Sequence, residues 1–231
     1  MTDHSLVLRA KIALLIPHLG AASHELWSHP RVAELYPEYL CMLHTAIRST
    51  VPLMENALER SKEIADHDPT AAALIPYLTR HIKEEQGHDE WLRQDLAAIG
   101  YDPDIPLRRL PGAAVANLVG AQYYWIRHFH PVCLLGHIAV LEGNPPSRAL
   151  VPELMRRTGY PREGFRTLER HSALDVKHRD ELMHTIDELP LTEQLVTAIG
   201  LSALHAADAA TTSLGAVVAT AGRNVPAPAG A

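Results

Sequence analysis

Two segments of this chain carry the same rare arrangement of metal-binding side-chain types. One reads His81-Ile-Lys-Glu-Glu85-Gln-Gly-His88 and the other His171-Ser-Ala-Leu-Asp175-Val-Lys-His178. Each is a histidine, three residues, a carboxylate, two residues, a histidine. At ~100° per residue on an α-helix, the three side chains fall within about a 60° arc of one face. Leu74, Tyr77, Leu78, Leu92 and Leu96 flank the first triplet on the same side, so its polar residues are expected to point inward. A buried carboxylate beside imidazoles costs several kcal/mol unless it is paired or ligated, roughly the range known for uncompensated buried charge. One kind of ligand, a metal ion, satisfies all of these groups at once. The competing reading is a set of hydrogen-bonded core histidines or a solvated face.

Helical bundles that bind two irons commonly use one Glu from each of two helices and a Glu-x-x-His from each of two others. Glu85-x-x-His88 and Asp175-x-x-His178 supply the paired motifs, with Asp in one place where Glu is usual. Glu55 and Glu142 are isolated acids in apolar surroundings (VPLMENAL and HIAVLEG) and complete the set. Against this, Glu55 has surface-acid neighbours in Glu38 and Glu59, and Glu142 could simply end its helix. Oxygen and nitrogen ligands without thiolate suit iron or manganese better than structural zinc.

The elements that must position these residues read as helices throughout. No alternation typical of strands runs long enough to build a sheet, so the expected fold class is all-α. Helical patterns cover 5–35, with breaks near Pro17 and Pro30, and 37–65 with a kink at Pro52. A turn at His67-Asp68-Pro69-Thr70 precedes a helix that runs to Ile99 and stops at Gly100. The proline-rich stretch 101–112 is read as a loop and the apolar stretch 118–141 as a central core helix. A short helix over 147–158 ends at Gly159, Pro161 opens the next helix to about Leu189, and Thr192 N-caps an Ala-rich final helix to Ala221. Residues 1–221 are expected to form a single helical domain, with 222–231 a disordered tail.

Composition narrows the function classes. The 231 residues carry a net charge of −6 and no Lys/Arg run, which gives nucleic acid no electrostatic footprint. The N-terminal apolar run is broken by Asp3, Arg9 and Lys11, which argues against a signal peptide or a membrane span. Cys41 and Cys133 lie far apart without framework spacing and read as reduced thiols of a cytoplasmic protein. Among the 15 histidines, His24, His128, His130 and His137 are read first as ordinary hydrogen-bonded or solvated residues. Tyr123, Tyr124 and Trp125 are read as core aromatics, and Arg108 and Arg109 as solvated loop cations.

His171, seven residues before His178, goes beyond the bundle rule. With it, HSALDVKH resembles the last ligand helix of the haem-oxygenase-like di-iron oxidases and oxygenases. The resemblance extends through EEQGHDEW, Glu142 at the end of the central helix, and TGYPREGFRTLERHSALD, and spans roughly 28–189. It implies a haem-oxygenase-like bundle of about seven helices, two Fe(II)/Fe(III) ions, and O2 as co-substrate. By resemblance Glu55, His88, Glu142, His171, Asp175 and His178 match metal positions. The carboxylate preceding His88 has three candidates: Glu85, His81 (a second-shell or substitute ligand) and Glu84. The implied activity is oxidation of a small biosynthetic metabolite, with N-oxygenation of an amine leading and oxidative C–C or C–H cleavage of an amino or fatty acid second. A non-catalytic metal-binding member of the fold, or a metal-free thiamin-degrading one, are the readings outside that class. An electron donor is an expected partner, and the Ala-rich last helix could pack on a second copy.

Overall fold

The computed structural model describes residues 3–222, so the expected tail lies almost wholly outside the described residues. Among these there is no strand, and the elements are α-helices joined by short turns. In chain order they are α1 (His4–Ala13), α2 (Ile16–Ser28), α3 (Val32–Ile47), α4 (Thr50–Ile64), α5 (Pro69–Glu85) and α6 (His88–Ala98). There follow α7 (Ile105–Arg108), α8 (Ala113–His128), α9 (Leu134–Leu141), α10 (Leu150–Thr158), α11 (Arg166–Glu188) and α12 (Glu193–Val218). Single 3-10 turns precede α9 (Pro131–Cys133) and α11 (Arg162–Phe165).

Local chemistry explains the boundaries. Asp68 N-caps α5 by accepting from the Ala71 N–H at 2.8 Å, with Pro69 in the first helical position. Thr192 accepts from the Leu195 N–H and starts α12. Gly159, at φ 72°, ends α10 in the left-handed conformation that lacks a Cβ penalty. Several stretches expected to be continuous are divided, so the helical segments exceed the expected seven. The 37–65 stretch breaks at Arg48–Ser49, and the 118–141 stretch breaks at Phe129–His130 before Pro131. The 70–99 stretch breaks at Gln86–Gly87, where Gln86 is extended and Gly87 sits at φ 83°. The loop at 101–112 holds the one-turn α7.

The core has two parts. Leu53, Met54, Leu74, Leu78, Leu135, Ile138, Leu182 and Ala203 belong to one, and Leu35, Tyr36, Leu40, Leu92, Leu96, Phe165 and Leu168 to the other. Along α11, Leu168 joins one part and Leu182 the other, with His171, Asp175 and His178 between them in sequence. The last helix, α12, packs against α1, α2, α8 and α9, and its small residues Ala203, Ala206, Ala207 and Ala209 are buried within the chain. Among the described residues no single helix is long and apolar enough to cross a membrane. The α1–α2 pair is apolar enough only in combination and is bent by 51°.

Candidate metal centre

Three helix ends and the middle of a fourth helix converge on one buried cluster. The end of α5 brings His81 and Glu85, the start of α6 brings His88, and the residue closing α9 is Glu142. The middle of α11 supplies His171, Asp175 and His178. One ligand-type atom from each of His81, Glu85, Glu142 and His178 lies within 4.8 Å of the others, and all four residues are buried. His81 Nε2 stands 3.0 Å from Glu142 Oε1, and His88 Nδ1 stands 3.0 Å from Glu85 Oε2. His178 Nδ1 is 3.5 Å from both Glu85 Oε1 and Glu142 Oε2, so the two carboxylates bridge the helices.

His88, His171 and Asp175 adjoin this group. The His88 and His171 rings are 5.3 Å apart, edge to face, and His171 Nδ1 is 2.9 Å from the Thr167 carbonyl. Asp95, fully buried on α6, accepts from the Thr167 N–H at 3.0 Å and so pins the first turn of α11 beneath the site. Trp91 stacks on His88 at 3.9 Å between centroids, and the Arg170 guanidinium lies 4.4 Å from the Trp91 ring.

The electrostatics are those of crowded acids and imidazoles. Burial, then the neighbouring Glu142 and Glu85 carboxylates, push Asp175 up to about 8. Burial also works to raise Glu85, but His88, His81 and His171 outweigh it and hold its pKa below the ordinary value. Burial alone would keep His81 neutral, yet Glu142, Glu85 and Glu84 raise its pKa. Burial, then His88, lower that of His171. Several buried atoms have no hydrogen-bond partner: Glu142 Oε2, Asp175 Oδ1 and His178 Nδ1 among them. Unsatisfied buried groups of this kind are rare and call for a ligand. A divalent cation held by His81, Glu85, Glu142 and His178, whose ligand-type atoms lie within 4.8 Å of one another, would partner the Glu142 and His178 atoms and favour the ionised form of the neighbouring Asp175. The residues present therefore fit a metal.

One expected ligand is elsewhere. Glu55 is exposed on α4, its charge felt by Tyr123 of α8, and it takes no part in the cluster. The buried face of α4 is Leu53, Met54, Ala57 and Ser61, and Glu55 points away from it. His81 stands inside the cluster, in contact with Glu142. Of the three candidates before His88, Glu85 and His81 are buried in the group. Glu84 lies outside it, bonded to Lys177 at 2.8 Å. Sequence reasoning missed Asp95, although its place seven residues after His88 puts it on the same face of α6.

A cavity of about 550 Å³ opens onto Glu85, Glu142, His171 and Asp175. Its walls are mostly apolar, including Leu19, Met42, Leu43, Leu118, Ile138 and Leu214. Of the other histidines, His130 is taken up by Asp68 at 3.1 Å and by the Val132 N–H, and His128 is exposed against Tyr124.

The family described as an iron-containing redox enzyme matches residues 66–211, well over half of the chain. This chain belongs to the iron-containing redox enzyme family. The matched span includes every residue of the cluster. A crystal structure from Shewanella denitrificans OS217, described as a domain of unknown function with a heme oxygenase-like fold, superposes with a TM-score of 0.77 at 18% identity. It covers 96% of this chain and 94% of that one. A TenA homolog from Pseudomonas syringae pv. tomato str. DC3000 superposes with a TM-score of 0.64 at 13% identity, covering 90% and 92% of the two chains. At those identities the likeness establishes the heme oxygenase-like fold alone. No curated protein matches the sequence.

Proposed function

We propose that this member of the family is a non-haem di-iron, O2-dependent oxygenase or oxidase acting on a small metabolite. The observation that carries the reading is the buried set of unpartnered carboxylate and imidazole atoms opening onto an apolar cavity. His81, Glu85, Glu142 and His178 would hold one ion, and His88, His171 and Asp175 beside them would hold the other. Two ferrous ions, when bound, supply a pair of electrons to O2. The chain's own part is to fix the ligands on four helices, to exclude water through the apolar walls, and to keep the substrate beside Glu142 and Asp175. Thr167 and Asp95 orient the α11 ligands from outside, as partners of metal-binding histidines and their helices commonly do. A small-molecule substrate and an electron donor are the partners this reading calls for.

Amine N-oxygenation is the reaction that the resemblance to the haem-oxygenase-like di-iron oxygenases favours. The cavity walls support a second reading, C–H or C–C oxidation of a substrate with an apolar body, because a charged amine finds few partners among Leu19, Met42, Leu43 and Leu118. Anaerobic titration with ferrous iron should load about two ions per chain, as expected for a bundle of this ligand type, and O2 exposure should then give a transient visible absorption. The H178A and D175A variants should lose most of that iron. Undiminished loading in both would remove the site assignment, and full loading with no O2 consumption would favour a non-catalytic metal-binding protein.

A further inference from the structure

The cavity wall includes a buried imidazole, outside the cluster, with an unpartnered ring nitrogen. His137 lies on α9, is 5% exposed and lines the cavity, and its Nδ1 has no hydrogen-bond partner. Two of the other polar wall groups are already engaged: Ser213 donates to the Ala209 carbonyl, and Ser147 accepts from the Ala149 N–H. Burial and the nearby His205 of α12 push His137 down to about 4, so its imidazole is neutral over the physiological range.

The backbone fixes where this imidazole stands. A Cβ on Gly136 would fall 2.1 Å from the Ile199 carbonyl oxygen and 2.8 Å from the Ala203 nitrogen, so α9 touches α12 backbone to backbone there. That contact sets the rotation of α9 and turns His137, Ile138, Leu141 and Glu142 together toward the cavity. His137 and Glu142 are five residues apart on this element, which at the helical rise separates them by about 7.5 Å along the axis. The cavity thus has an acid-and-imidazole cluster at one place, a lone imidazole a fixed distance away, and hydrocarbon between.

We propose that His137 anchors the neutral hydrogen-bonding group, a hydroxyl or an amide, of a substrate whose body is otherwise apolar. The inference rests on the reading of this cavity as the substrate chamber. Nδ1 of a neutral imidazole donates in one tautomer and accepts in the other, and a hydroxyl can answer either. An ammonium could use only the acceptor, and the carboxylates that would compensate its charge, Glu85, Glu142 and Asp175, belong to the cluster rather than to the surroundings of His137. A carboxylate would need the imidazole to take up a proton that its surroundings disfavour. His137 is therefore a positioning residue that selects the far end of the substrate while Glu142 and Asp175 adjoin the near end.

The test uses 1-octanol, octanoate and octylammonium as probes on the iron-loaded protein without O2. Binding is read by calorimetry and by the emission of Trp27, which lines the same cavity. The parent should bind 1-octanol most tightly. The H137F variant should bind it about tenfold more weakly, the usual cost of leaving one polar group unpaired. H137Q, which keeps a donor and an acceptor, should recover most of the loss, and octylammonium should bind parent and H137F alike. Should H137F fail to fold, the ring-nitrogen resonances of His137 in the parent should move on adding 1-octanol. Equal octanol affinity in parent and H137F, tighter binding of either charged probe, or no binding by the parent would each overturn the proposal. Iron stoichiometry measured on the same samples stays at the parental value in H137F, so failure of the anchor is distinguishable from failure of the metal site.

Discussion

The His171 triplet rides on one uninterrupted helix of 23 residues, whereas the His81 triplet is divided between two helices by Gln86 and Gly87. Spacing in sequence is identical, and the geometry is not. On α11 the 3.6-residue period alone aligns the three side chains. On the other segment, α5 delivers His81 and Glu85 from its last turn, and the chain then turns so that His88 enters as the first residue of α6. The two middle carboxylates also differ. Glu85 has His88 Nδ1 at 3.0 Å and His178 Nδ1 at 3.5 Å and is held ionised, while Asp175 faces the Glu142 and Glu85 charges. Equivalent positions in a repeated motif thus hold opposite roles before a metal arrives: one carboxylate is compensated, the other is not.

The largest consequence is on the stability of the metal-free protein. Asp175 has a folded pKa of about 8 against an ordinary 3.8. Between those values the folded chain holds a proton that the unfolded chain has released, so stability falls as pH rises through this window. The effect is on the order of several kcal/mol. Glu85 has the opposite sign, contributing stability above the ordinary carboxylate range that is lost as pH falls through its lowered value. Denaturant unfolding with chelator at pH 5 and pH 9 should show the decline in the parent and its near disappearance in Asp175→Asn. An unchanged decline would mean that Asp175 is not the uncompensated member.

Next in size is the compensated member itself. Glu85→Gln removes the charge that faces both His88 and His178, and iron affinity should fall by at least about tenfold. Iron titration under anaerobic conditions measures this directly. Parental affinity in this variant would leave the broken segment with only imidazoles to offer.

How far these features were legible depends on the range of the forces that set them. Asp68-Pro69, read as part of a turn, already caps and opens α5, whereas Gly159 and Thr192 act within one turn, and the stop and the cap they make read directly from sequence. The break at Gly87 did not, because the flanking residues are good helix formers and their apolar period continues across the turn. The Pro131 break was visible as a proline but was masked by the apolar run around it. Glu55 was misread from its neighbours' hydrophobicity. The spacing of Leu53, Met54, Ala57 and Ser61 already defined the buried face of α4 and left Glu55 off it. His137 could not be singled out, since its solitude in the cavity depends on the packing of α9 against α12.

The break can be tested on its own. A Cβ on Gly87 would meet nothing within 4 Å, so replacing it adds no clash and only forces a side chain into φ 83°. Gly87→Ala should cost about 1–2 kcal/mol from that conformation, and Gly87→Asn less, because Asn tolerates the left-handed region. Thermal unfolding of the three proteins ranks them. Equal stability of parent and Gly87→Ala would mean that α5 and α6 can join into one helix, erasing the difference between the triplets.

The smallest effect belongs to Glu84, and its size is what fixes the choice of carboxylate. Glu84 Oε2 stands 3.6 Å from His81 Nδ1 and 3.7 Å from His178 Nε2, beyond hydrogen-bond range, while its other oxygen meets the exposed Lys177. Burial tends to raise its pKa, and Lys177 more than offsets this. One oxygen pairs with the exposed Lys177 and the other is buried without a hydrogen-bond partner, so Glu84→Gln breaks only the outer ion pair and should cost about 0.2–1 kcal/mol in stability. Iron affinity should change by no more than about fivefold. Glu84 and Glu85 are adjacent in sequence and about 100° apart on the helix, so the same titration run on both variants compares two faces of α5. A loss in Glu84→Gln as large as that in Glu85→Gln would turn the α5 end by that angle and place the outer carboxylate on the metal.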